Sequence, residues 1–138
     1  MIEVYFDGAC EPNPYGRIGY GAIIYKDTKQ IYEISQEYKY AEGIKSTNNM
    51  AEYCAIYAAL KYLIHKKLNK YPVIARGDSQ LVIKQLSGEW QIGKGEYILI
   101  AEKAKDLLKN FKQIEFAWLP RSFNNRADQL SRKAIGIY

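Results

Sequence analysis

The chain has 138 residues, of which 48% are hydrophobic and 25% charged, and it carries a formal net charge of +5. That length predicts one domain over residues 1–138, large enough to bury roughly two-thirds of its unfolded surface without a disulfide or metal staple. No apolar run nears the roughly 18 residues of a membrane span, the amino terminus reads as a strand and not a leader, and Cys10 and Cys54 have neither zinc nor redox spacing.

A cytoplasmic monomer is therefore the default expectation, with no membrane partner, and the mild basicity admits an anionic partner such as nucleic acid. Along the chain, Ile2, Val4 and Phe6 alternate with polar positions and predict a strand running into Asp7 and Gly8. Pro12, Pro14 and Gly16 read as loop punctuation. Tyr20–Tyr25 predicts a second strand, Asp27–Gln30 a polar turn, and Tyr32, Ile34 and Tyr38 a third strand, together an antiparallel meander. The period then changes. Met50, Tyr53, Cys54, Tyr57, Leu60 and Ile64 recur at helical spacing, and the helix closes on His65-Lys66-Lys67, which suits a carboxyl-terminal dipole. Pro72–Arg76 predicts a short strand, parallel to the first because a helix intervenes. Ser79–Leu86 predicts a helix, Ser87–Gly95 a loop, Glu96–Phe111 an amphipathic helix, Gln113–Leu119 a strand and Asn124–Ile135 the last helix. The order βββαβααβα predicts an α/β fold: a five-stranded mixed sheet, three antiparallel strands plus parallel ones, flanked by helices.

Ligands of such sheets favour the crevice at the strands' carboxyl ends. Asp7 and Asp78 both follow strands that can be neighbours. Each acidic candidate also has an ordinary role. Asp7 precedes glycine, a turn signal. Asn49-Met-Ala-Glu52 resembles a capping box, with Glu52 reaching back to the cap. Asp78 or Ser79 can cap a helix, and Asp128 sits near a positive helix end. Taken together the four point elsewhere. Only five aspartates occur in the chain, and three of them stand at element boundaries that can converge on one sheet edge. With no matching His or Cys cluster, the set is hard and all-oxygen, which selects Mg²⁺ or Mn²⁺. Four repelling carboxylates are costly to hold together without cations. Two such ions about 3.5–4 Å apart can serve a phosphodiester displacement.

The ordered stretches YFDGACEPNP, STNNMAEYCAIYAAL, GDSQLVIKQL and NNRADQLSR resemble ribonuclease H, type 1, over nearly the whole chain. The resemblance implies the ribonuclease H-like fold and endonucleolytic cleavage of the RNA strand of an RNA–DNA hybrid, leaving 5′-phosphate and 3′-hydroxyl ends. It implies two Mg²⁺ ions, with Mn²⁺ as a substitute. Asp7 would bridge both, Asp128 would help hold the ion that activates water, and Glu52 and Asp78 the ion beside the leaving oxygen. Asn13, Asn49 and Gln80, with loop amides near Gly8 and Cys10, match positions that read the hybrid's minor groove, and Asn124 joins the substrate-contact set. Thr47 and Asn48 match positions near a DNA-strand phosphate, with helix capping the alternative.

Two departures stand out. Arg121 occupies the place where many members carry a histidine; it cannot act as a base at ordinary pH and is expected to contact phosphate or product. The link SGEWQIGKGEY replaces a longer basic insertion, leaving Trp90 and Lys94 as a reduced contact to the DNA strand, or Trp90 as packing. His65, the lone histidine, is expected at the surface. The competing readings are a same-fold nuclease that also cuts double-stranded RNA, and a non-catalytic hybrid-binding module.

Overall fold

Strand β1, Ile2–Glu11, is the middle of a five-stranded sheet. The computed structural model describes residues 1–138. Its other strands are β2 (Arg17–Lys26), β3 (Lys29–Tyr38), β4 (Val73–Gly77) and β5 (Ile114–Trp118), in the order β3-β2-β1-β4-β5. β1, β2 and β3 pair antiparallel, while β4 runs parallel to both β1 and β5. The helices are α1 (Asn48–His65), α2 (Gln80–Leu86), α3 (Ile98–Leu107) and α4 (Asn125–Lys133). The element order matches the expectation from hydrophobic period.

The two faces of the sheet are covered unequally. Ile2, Val4 and Phe6 are fully buried, and α1 packs over β1 and β2 on that side. α4 packs on β1, β2 and β3. The ladder register separates the two helices. Gly8, which α1 contacts, pairs with Tyr20, whereas Gly21, which α4 contacts, pairs with Asp7, so the helices lie on opposite faces. α3 packs along α1. Within this apolar interior Gln85 is 1% exposed. Tyr53 Oη donates to its Oε1 at 2.7 Å, and its Nε2 donates to Tyr97 Oη at 3.0 Å and to Gln91 O at 3.1 Å. This polar link ties α1, α2 and the 87–97 segment together. No helix is long and apolar enough to cross a membrane.

The boundaries depart from the sequence reading in informative places. β1 does not end at Phe6. Its parallel ladder with β4 stops at Tyr5↔Arg76, but the antiparallel ladder with β2 continues to Glu11↔Arg17. Asp7 therefore lies inside a strand, just past the last residue paired to β4. α1 is capped by Thr47, whose Oγ1 accepts from Met50 N at 3.3 Å. The expected capping box does not form, because the helix starts at Asn48 and places Glu52 beyond the first turn. Ser79, not Asp78, caps α2 by accepting from Val82 N at 3.3 Å. The third helix is shorter than its pattern, ending in a 3₁₀ turn over Leu108–Asn110.

Candidate active site

Bare backbone positions the acidic residues. A Cβ on Gly8 would overlap the Ala51 carbonyl carbon and the Glu52 backbone nitrogen. β1 and α1 thus touch main chain to main chain, which sets Glu52 beside Asp7. On the other face, a Cβ on Gly21, the ladder partner of Asp7, would stand 2.6 Å from Leu130 Cβ and 2.8 Å from Ala127 O. α4 therefore rests directly on β2 and brings Asp128 towards Asp7. A Cβ on Gly77 would meet the Phe6 ring at 2.7 Å, so β4 also closes tightly on β1 just before Asp78. Glycine acts here through the space it leaves, not through unusual torsions.

The outcome is a buried acidic cluster. Asp7 is 1% exposed and Glu52 8%. One oxygen each from Asp7, Glu52 and Asp78 lies within 4.8 Å of the others. Gly8 N donates to Asp7 Oδ1 at 2.9 Å, while Asp7 Oδ2 and Glu52 Oε2 are buried with no hydrogen-bond partner. Burial first, and then the charge of Asp78, push the Asp7 carboxyl from 3.8 up to about 7. Burial and neighbouring Asp7 raise Glu52 well above the usual range. Burial raises Asp78, opposed by the Arg121 guanidinium, whose Nε stands 3.8 Å from Asp78 Oδ2. Asp128 lies outside the group of three but near enough to raise Asp7 and Asp78. Its side chain is half-buried, with Arg132 Nε 3.8 Å from Oδ2. Orphaned carboxylate oxygens facing one another match a divalent cation with oxygen preference, Mg²⁺ or Mn²⁺ alike.

The other candidate residues divide into two groups. Asn13, Gln80 and Arg121 are exposed and Asn49 is half-buried. Asn13 Oδ1 accepts from Asn48 N at 3.2 Å, and Asn48 Oδ1 accepts from Cys10 N at 3.0 Å. The amides of Gly8 and Cys10 are thus both engaged inside the protein, and Gly8's missing side chain is filled by α1. Asn124 is 2% exposed and donates its Nδ2 to Phe6 O at 2.9 Å, a strut between β1 and the start of α4. Trp90 is 46% exposed, with Lys84 Nζ 5.9 Å from its ring, so it is not core packing. His65 is exposed, at the far end of α1.

Sequence reasoning passed over a clasp beside these residues. Ser46, fully buried, donates its Oγ to Gly16 O at 2.7 Å, and Tyr40 Oη donates to the same carbonyl. Together they bolt the 12–16 turn to the segment leading into α1. The one available signal was Ser46 standing directly before the cap residue Thr47.

A reverse transcriptase-like family model matches residues 5–134. A bifunctional protein of Mycobacterium tuberculosis is 34% identical over 134 residues, spanning 97% of this chain. The chain spans only 35% of that relative's length. The crystal structure of RNase H1 from the archaeon Halobacterium salinarum superposes with a TM-score of 0.83 at 33% identity, covering 97% of this chain and 96% of that one. LC11-RNase H1, isolated from compost and solved in complex with an RNA/DNA hybrid, gives a TM-score of 0.79 at 30% identity, covering 98% and 96%.

Proposed function

The chain belongs to the reverse transcriptase-like family, with type 1 ribonucleases H among its relatives, and on that premise we propose that it is a ribonuclease H that hydrolyses the RNA strand of RNA–DNA hybrids. The observation that carries this reading is the group of three carboxylates with oxygens within 4.8 Å of one another, among which Asp7 Oδ2 and Glu52 Oε2 are buried without a hydrogen-bond partner. A module that only bound nucleic acid would gain nothing from placing anions against phosphate. LC11-RNase H1 was solved with an RNA/DNA hybrid bound, which supports the choice of substrate.

In this reading Asp7, Glu52, Asp78 and Asp128 hold two Mg²⁺ or Mn²⁺ ions. When bound, the ions supply positive charge beside the attacking water and the departing 3′ oxygen. The chain's own residues do the rest. Asp7, central and buried, fixes the site's register on β1, and Glu52 and Asp78 flank it from α1 and β4. Asp128 approaches from α4. The water would lose a proton to solvent as its oxygen bonds to phosphorus, and the bond to the 3′ oxygen would break as that oxygen takes a proton from solvent, leaving a 5′-phosphate and a 3′-hydroxyl. Arg121, exposed at the rim and 3.8 Å from Asp78, is placed to meet phosphate, not to take a proton. Asn13, Asn49 and Gln80 face the groove, where the 2′-hydroxyl distinguishes RNA from DNA. Cytoplasmic, monomeric action over residues 1–138 completes the proposal.

The test is cleavage of matched RNA–DNA hybrid, double-stranded RNA and single-stranded RNA, with Mg²⁺ and with Mn²⁺, by wild type and Asp7→Asn. The expected result is metal-dependent cutting of the hybrid by wild type alone. No hybrid cleavage by wild type would overturn the enzyme reading. Equal cutting of single-stranded RNA would overturn hybrid specificity.

A further inference from the structure

Tyr15 stands at the tip of the turn joining β1 to β2 and is 65% exposed. Its backbone has φ +71°, a left-handed conformation that a bulky side chain adopts only at a cost. Glycine fills such a position without that cost, yet the chain keeps a large aromatic there and turns it outward.

The surroundings do not let the turn relax. Tyr15 N donates to Ser46 O at 3.0 Å, and Tyr40 Oη, whose proton goes to Gly16 O, lies 3.2 Å from Tyr15 O. The next carbonyl, Gly16 O, receives Ser46 and Tyr40 as well. Two residues earlier, Asn13 accepts from the first residue of α1. The Tyr15 backbone is thus held by its own N–H and by the bonds to the next carbonyl, which fixes the direction of its Cα–Cβ bond. The nearby cation does not compete for an anionic ligand, because Arg17 is committed to Glu37 through two bonds of 2.8 and 2.9 Å. Beside the exposed Asn13, the turn presents the Tyr15 side chain to solvent from a fixed backbone.

We propose that Tyr15 is a substrate-binding residue, its ring packing against a sugar or base edge of the hybrid. The inference rests on the ribonuclease H reading. From Asp7 to Glu11 the strand advances about 13 Å at roughly 3.3 Å per residue. Aromatic faces are a sequence-tolerant way to hold nucleic acid, which fits an enzyme that must accept any hybrid sequence.

The experiment compares wild type, Tyr15→Gly and Tyr15→Phe. Equilibrium binding of a labelled RNA–DNA hybrid is measured without divalent metal, beside KM, kcat and melting temperature. For Tyr15→Gly, Kd and KM should rise about five-fold or more, the low end of an aromatic stacking contribution. Its kcat should stay within about twofold, because no reacting atom is touched, and its melting temperature should hold or rise as the left-handed strain is released. Tyr15→Phe should bind within about twofold of wild type, since it keeps the ring face. A merely structural tyrosine would show the reverse, a lowered melting temperature with unchanged Kd. Wild-type Kd for Tyr15→Gly overturns the assignment. A wild type that binds hybrid without cutting it overturns the ribonuclease reading while the binding comparison still decides Tyr15, and a wild type that binds none overturns both.

Discussion

Replacing Asp7 with asparagine should make the metal-free protein more stable while abolishing cleavage. The folded Asp7 carboxyl sits at about 7, against 3.8 for its ordinary value, chiefly through burial. In the folded state it therefore binds a proton more tightly than in the unfolded chain. The associated stability is fully present below about pH 4 and is lost as pH rises towards 7. A shift of roughly three units corresponds to a ceiling of about 4 kcal/mol. A proton on either Asp7 or Glu52 relieves both carboxylates, so the substitution recovers part of that ceiling, about 1–2 kcal/mol. Asparagine keeps an acceptor for Gly8 N and brings a donor to Glu52, whose Oε2 has no partner. In chelator, the melting temperature of Asp7→Asn should exceed that of wild type by about 4 °C or more at pH 8. The gap should narrow at pH 5, where wild type regains its proton, and Mg²⁺ should close it by stabilising wild type selectively. Equal melting temperatures at pH 8, or a gap that does not change between pH 5 and 8, would show that Asp7 is not under the electrostatic load described.

Three further predictions follow from the packing and charges. Gly8→Ala drives a methyl into the α1 backbone and should cost about 1–3 kcal/mol in a thermal melt, with a larger fractional loss of cleavage because Glu52 is displaced from Asp7. Arg121→Ala should lower turnover yet leave it measurable, and should move the acid limb of the pH–rate profile to higher pH, since Asp78 loses the cation that holds its carboxyl down; an unmoved limb at wild-type rate would remove Arg121 from the site. Gln85→Leu leaves the hydroxyls of Tyr53 and Tyr97 without their shared partner, which should cost about 2 kcal/mol in chemical denaturation while kcat changes little.

The parts of the molecule written in periodicity were legible from the sequence. The change from alternation to helical spacing near Met50 located α1, and the element order followed. Asp7, Glu52 and Asp78, which the fold brings together, were picked out with Asp128 because hard-oxygen chemistry without histidine or cysteine leaves few alternatives. What escaped depended on contacts across the fold. The extension of β1 through Gly8, Ala9 and Cys10 has no alternation to announce it; the ladder with β2 imposes it. Glu52 looked like a capping residue because its spacing from Asn49 suits one, but Thr47 captured the cap and freed the glutamate to face Asp7. Asparagine is ordinarily exposed, so nothing in the sequence signalled that Asn124 would be a buried strut. Gln85 offered a fainter signal, a polar residue on the inward side of α2 beside Val82, Ile83 and Leu86.

The contact of α1 and α4 with bare stretches of β1 and β2 also bears on engineering. The separation of the acids is set by main-chain thickness at Gly8 and Gly21, so it has no side chain through which to be adjusted. Grafting the four acids onto another α/β scaffold would not recreate the spacing unless both glycines travelled with them. In this protein two residues without side chains set the spacing of the acidic cluster.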